Sequence, residues 1–203
     1  MSTPRLGFWF EFASTYSYPA AMRIRRLAQE QGVAIEYRPF LLGPIFGAQG
    51  WSDSPFNIYE RKGRYMWRDL SRLCEGYGLA FQKPAVFPQN GLLAARVALV
   101  GLGEGWGEDF VEAVYRAEFA DGRFIHDPAV IQDLLRSLQC DPKAVFDKSQ
   151  SDEIKSLLRT QTERAQQLGL FGAPSFVAQD GEIFWGNDRL EAALAWAQKT
   201  TGT

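Results

Sequence analysis

Two cysteines, one histidine and no long apolar run set the first limits on this 203-residue chain. Cys74 and Cys140 lie far apart and outside any C-x-x-C pair, so neither a disulfide framework nor a zinc site is suggested. The lone imidazole, His126, removes any histidine-cluster metal site and leaves at most one such group for acid–base work. Its place after Gly122-Arg123-Phe124-Ile125 assigns it to surface or loop packing. A formal net charge of -2, from 22 basic and 24 acidic residues, gives no field that would gather nucleic acid or an anionic membrane. The N-terminus MSTPRLGFWFEF lacks the basic stretch, apolar core and small-residue cleavage site of a secretory leader, and a cytoplasmic location is the expectation.

What is present is ordinary for a globular protein: 46% apolar and 23% charged residues, with no low-complexity stretch, enough for one domain or one domain carrying a large insertion. Residues 6–12 are apolar and aromatic apart from Glu11 and read as a buried strand. A helix follows from Tyr18, with Pro19 in its first turn, Ile24 and Leu27 facing inward and Gly32 at its end. Val33, Ile35 and Tyr37 alternate with polar neighbours as a second strand, completing a βαβ unit.

Residues 57–168 then repeat their apolar positions at helical spacing. Asp127-Pro128 and Asp141-Pro142 mark helix starts there, and glycines 76, 78, 101 and 103 mark ends or turns. After Leu168 come a short strand at 175–178, an Asp180-Gly181 turn, a strand at 182–185 and a last helix with Leu190, Ala193, Leu194 and Ala197 on its apolar stripe. The expected class is α/β: βαβ and ββα halves (residues 1–56 and 169–203) separated by an all-helical insertion (57–168).

Four segments can carry chemistry. In FEFASTYSYPA, Ser14 stands where a buried strand gives way to a helix, and the positive end of the helix dipole stabilises an anion there by roughly 0.3–1 kcal/mol. No base is linked to Ser14, which argues against a serine nucleophile. Its hydroxyl either caps the helix or donates to a thiolate carried by a ligand, lowering that thiol's pKa. In LFGAPSFV, Pro174 precedes a strand; the Ala173–Pro174 bond is either an ordinary trans turn or a cis bond that presents the Ala173 backbone to a ligand.

In FWGNDRL, Asn187 and Asp188 either cap the last helix or meet the charged ends of an amino-acid-like ligand. The long loop expected at 40–69 holds Phe46, Trp51, Phe56, Tyr65 and Trp67, which either wall an aromatic pocket or form a core seam. Asn57, Lys62 and Arg64 beside them can meet carboxylates. Cys74, beside Leu73, reads as core.

Element order matches the thioredoxin fold with helices inserted between its halves, as in the bacterial disulfide oxidoreductases and kappa-class glutathione transferases. ASTYSY, FLLGPIF, KGRYMWRDLSRLC, LLAARVAL, FGAPSF and FWGNDRLE, in this order, resemble the 2-hydroxychromene-2-carboxylate isomerase family. That resemblance implies a glutathione cofactor activated by Ser14 and held at Asn57, Ala173, Pro174, Asn187 and Asp188, with Asn90 and Trp185 on the substrate side and no metal. It further implies interconversion of 2-hydroxychromene-2-carboxylate and trans-o-hydroxybenzylidenepyruvate in naphthalene-type catabolism, by a homodimer.

Thr15 departs from the pattern, standing where many members carry proline. Two alternatives remain at this level: a kappa-like glutathione transferase or peroxidase that consumes the thiol, and a noncatalytic thioredoxin-fold binding module.

Overall fold

The computed structural model describes residues 3–200. Its frame is a four-stranded sheet in the order β2-β1-β3-β4, made of β1 (Arg5–Phe10), β2 (Ala34–Pro39), β3 (Ser175–Ala178) and β4 (Ile183–Trp185). β1 runs parallel to β2, antiparallel to β3, and β3 is antiparallel to β4. Leu6, Phe8 and Phe10 are fully buried on one face and Trp9 is buried on the other, as an inner strand covered on both faces requires. β1 ends at Phe10, two residues before the apolar run does. The last rung pairs Phe10 with Pro39, and Glu11 and Phe12 turn out of the ladder toward the helix that follows.

That helix, α1 (Ser17–Gln31), ends on Gly32, whose φ of 65 is left-handed and costs a glycine little. Ile24 is fully buried on its inner face, whereas Leu27 is only partly covered. Residues 40–69 fold as helix rather than loop, namely α2 (Leu42–Ala48), α3 (Pro55–Ile58) and the first turns of α4 (Glu60–Tyr77). Glycine and proline hide these helices in the sequence. Pro44 falls in the first turn of α2, where no intrahelical donor is needed, and Ser54 caps Pro55 at the start of α3. Ile45 anchors α2 in a small cluster with Trp9, Phe40, Ala165 and Leu170.

The remaining helices are α5 (Leu92–Glu104), α6 (Gly107–Phe119), α7 (Pro128–Ser137), α8 (Pro142–Ser149), α9 (Asp152–Gln167) and, after a 3-10 turn at Asn187–Arg189, α10 (Leu190–Thr200). Asp127 and Asp141 cap α7 and α8 as their spacing predicts, accepting from Ala129 N–H and Lys143 N–H.

Only Gly78 among the four predicted stop signals ends a helix; Gly76, Gly101 and Gly103 lie inside α4 and α5. Gly101 seats the Trp106 ring, which a Cβ would meet at 2.5 Å. One hydrophobic cluster runs from Phe8 and Phe10 of the sheet through Val97, Val114, Ile131 and Leu158 of the helices, so sheet and helices share a core. Cys74 belongs to it, and burial pushes its thiol up to about 11. Among the described residues no helix is long and apolar enough to cross a membrane, and no cluster of metal-ligating side chains occurs.

Candidate active site

A cavity of about 1030 Å³ opens where the end of β1, the start of α1, the 171–173 turn, the 185–188 turn, α2, α3 and residues 87–92 converge. Its lining contains neither cysteine nor histidine. Ser14, Asn90, Ala173, Trp185, Asn187 and Asp188 all stand on this wall, and Pro174 lies directly behind Ala173.

The Ser14 hydroxyl donates to the Ala173 carbonyl at 2.8 Å across 159 positions of sequence. It does not cap α1, whose N-cap position is Tyr16 and carries no side-chain cap bond. Instead the turn into the helix is closed by backbone, with Ser17 N–H donating to the Ser14 carbonyl at 3.2 Å. A hydroxyl owns one proton, so Ser14 can serve a nearby anion by exchanging the Ala173 carbonyl for it. The Ala173–Pro174 peptide is cis, and so is Phe87–Pro88 on the facing wall.

Asn187 and Asp188 do not cap the last helix. The 3-10 turn they open has Gly186 at its N-cap position and no side-chain cap bond. Arg23 of α1 claims Asn187 instead, donating to its Oδ1 at 3.1 Å and to its carbonyl at 3.4 Å, while the Asn187 amide donates to the Tyr77 hydroxyl at 3.4 Å. The Arg23 guanidinium lies 3.9 Å from the Tyr77 ring centroid and pairs with Glu191 at 2.6 Å. Asp188 remains exposed at the rim, beside Arg189 at 3.1 Å.

Asn57 is not on the cavity wall. Its side-chain amide donates to both Asp53 carboxylate oxygens, at 3.2 and 3.1 Å, and to the Phe87 carbonyl at 3.2 Å. It braces the wall from outside, and its neighbours Asp53, Ser54, Pro55 and Phe56 face the cavity. Asn90 likewise spends its Oδ1 on the Leu92 N–H, at 2.9 Å, at the start of α5.

Of the predicted aromatics, Phe46, Trp51 and Phe56 line the cavity; Tyr65 is exposed on α4, and Trp67 packs edge-on to Phe87 with ring centres 4.9 Å apart. Lys62 lines the wall, whereas Arg64 pairs with Glu60.

Three lining groups escape a reading of motifs. Glu11, 8% exposed, sits beneath Ser14, and burial raises its carboxyl to about 7 against the lowering effect of backbone N–H groups. The signal available for it is isolation, since it is the only charged residue in 6–12. Tyr16 donates to Asp69 at 3.0 Å, and burial together with that carboxylate raises its phenol. Phe171 stacks edge-on to Trp185 at 4.8 Å, both exposed at the mouth.

A DSBA-like thioredoxin domain model matches residues 5–195. A 2-hydroxychromene-2-carboxylate isomerase from Sphingobium xenophagum is 31% identical, the match covering 93% of this chain and 95% of that protein. Glutathione S-transferase kappa 2 from Caenorhabditis elegans is 27% identical over 90% of this chain and 87% of that one. Among solved structures, a 2-hydroxychromene-2-carboxylate isomerase superposes with a TM-score of 0.83 at 26% identity, covering 98% of both chains. With these matches running nearly end to end, the chain belongs to the DSBA-like thioredoxin domain family and, within it, to the 2-hydroxychromene-2-carboxylate isomerases.

Proposed function

We propose that this protein is a glutathione-dependent isomerase that interconverts the cis and trans arrangements of a conjugated aromatic keto acid, of the kind represented by 2-hydroxychromene-2-carboxylate and trans-o-hydroxybenzylidenepyruvate. The observation that carries the reading is a hydroxyl donor, Ser14, held before a helix N-terminus on a cavity lined by no thiol and no imidazole of the chain. A sulfur nucleophile for such a site must be brought in.

The donor set fits a thiol tripeptide with one ammonium and two carboxylates. Asp188 offers a carboxylate and Lys62 an ammonium on the same cavity as Ser14 and the Ala173 backbone. When bound, glutathione supplies a thiolate able to add reversibly to a conjugated double bond.

Ser14 stabilises that charge by hydrogen bonding, and the dipole of the 15-residue α1 adds to it. Ala173 presents backbone, while the Asn187-Asp188 turn, clamped by Arg23, holds the amino-acid end. Asn57 is no direct cofactor ligand in this reading; it fixes Asp53 on the aromatic side of the cavity. Phe46, Trp51, Phe56 and Trp185 receive the aromatic ring, with Asn90 beside them. A place in naphthalene-type catabolism, a reducing cytoplasm and a homodimer belong to the same reading.

Ser14→Ala tests it with glutathione and trans-o-hydroxybenzylidenepyruvate as probes. Turnover should collapse while the fold and glutathione binding survive; full activity in the variant overturns the role. A second reading, a kappa-like transferase, is favoured by the 27% identity to glutathione S-transferase kappa 2. Glutathione recovered intact after many turnovers supports isomerisation, and stoichiometric loss supports transfer. Absence of binding at millimolar glutathione by calorimetry sinks both and leaves a binding module.

A further inference from the structure

Glu11 is the feature the proposed function leaves unused. A charged residue at the end of a buried strand is expensive unless something is gained by it. Its Oε2 accepts from the Leu42 N–H at 3.0 Å, fixing the carboxyl between the start of α2 and residues 89–92. Gly91 permits that placement, because a Cβ there would stand 2.9 Å from Glu11 Oε1. The Glu11 carbonyl accepts from Ser14 N–H at 2.9 Å and from the Tyr115 hydroxyl at 2.9 Å, so acid and serine occupy one rigid turn of the cavity wall.

The ionisable groups facing Glu11 are Tyr115 and Glu118, both on α6. Segments 41–43 and 89–92 contribute none. Glu118 is wholly buried, and desolvation followed by the proximity of Glu11 raises its carboxyl well above the usual range, so it stays neutral. Tyr16, Asp53, Lys62, Asp69 and Asp188 also line the cavity, and none of them is among the groups that shift the Glu11 carboxyl.

We propose that Glu11 is the proton-exchanging residue of this cavity, passing a proton to the keto oxygen of the bound aromatic acid and taking it back. This rests on the isomerase reading above. As a nucleophile adds to the conjugated double bond, that π pair becomes a new double bond to the carbonyl carbon, and the carbonyl π pair moves onto oxygen, which takes the Glu11 proton. The former double bond is then single and turns. On reversal the Glu11 carboxylate removes the same O–H proton, its electron pair restores the carbonyl and the double bond, and the nucleophile leaves with the pair from its own bond. Proton and electrons balance over the cycle, and no oxidant is required. A carboxyl titrating near neutrality suits both halves of this exchange.

The test uses the intact protein and two variants, Glu11→Gln and Glu11→Asp. In the ligand-free parent, an infrared pH titration should show a protonated-carboxyl band bleaching near pH 7 that Glu11→Gln lacks. With glutathione and trans-o-hydroxybenzylidenepyruvate, Glu11→Gln should lose about 100-fold in kcat and the falling limb of the pH profile, and Glu11→Asp should restore part of both.

Absence of the band, or a Glu11→Gln rate within about threefold of the parent with its falling limb intact, overturns the role. Should Glu11→Gln fail to fold, Glu11→Asp decides: its limb must shift, and an unshifted limb overturns the role. A parent that leaves the probe unchanged removes the isomerase reading and this role with it, whereas an active parent with an indifferent Glu11→Gln removes this role alone.

Discussion

One wall of the cavity is tied together by hydrogen bonds between separate elements of the fold, the other by aromatic rings and a few polar braces. On the first, Ser14 reaches Ala173, Arg23 reaches Asn187, and Gly186 N–H donates to the Pro174 carbonyl at 2.9 Å. On the second, Phe46 lies 5.6 Å from Trp51 and Phe56 lies 6.3 Å from Tyr16, with Asn57 pinning Asp53 to Phe87. Directional bonds between fixed backbones hold a polar ligand in one geometry, whereas ring packing tolerates changes of shape. On the proposed function, the first wall would set the chemistry and the second which aromatic acid is accepted.

The largest effect is expected at Ser14. Removing a single donor to a developing or resident anion costs about 100- to 1000-fold in kcat, near 3–4 kcal/mol. Ser14→Ala should show that loss, with thermal stability changed by no more than about 1 kcal/mol because only one part-buried bond is lost. A thiolate absorbance of bound glutathione that weakens in the variant at neutral pH would tie the loss to the thiol.

Next in size is the cost of keeping Glu11 in the first wall. Its folded pKa, raised from 4.5 to about 7, lies above the unfolded value, so the native state binds the extra proton and stability falls as pH rises across that window. The contribution is intact below pH about 4.5 and loses about 3 kcal/mol by the upper end, with Glu118 acting in the same direction. Urea midpoints between these limits should decline more steeply for the parent than for Glu11→Gln. Parallel curves would show that the carboxylate finds solvation the first wall is not expected to offer.

Arg23 follows at about 2 kcal/mol, the scale of losing hydrogen bonds from a buried charged donor. Arg23→Met keeps much of the packing on Tyr77 but releases Asn187 and Glu191. It should lower the melting temperature and raise the KM for glutathione more than the KM for the aromatic probe. Equal rises in both would erase the distinction between the walls.

The Ser14, Ala173-Pro174 and Asn187-Asp188 segments could be found in the sequence because each is a short, contiguous departure from strand or helix pattern. Their partners could not. Arg23 and Asn187 lie 164 positions apart, and nothing in either neighbourhood announces the other. The 40–69 helices were obscured because Gly43, Pro44 and Gly47 count against a helix by propensity, although Pro44 falls in a first turn that tolerates it. Glu11 stood out as a lone charge, but its use depends on Leu42 and Gly91, brought to it only by the fold.

Asn57 makes the smallest and most discriminating prediction. A direct cofactor ligand and an outside brace predict different kinetic signatures for the same Asn57→Ala change. As a ligand, its loss would raise the KM for glutathione. As the brace described by its bonds to Asp53 and the Phe87 carbonyl, its loss frees α3 to shift against residues 87–91, and the KM for the aromatic probe should rise several-fold, about 1 kcal/mol, with kcat and glutathione affinity nearly unchanged. Bulkier aromatic acids should suffer less than the parent's best substrate, because a loosened ring wall widens while the wall holding Ser14 stays where α1 and β3 fix it.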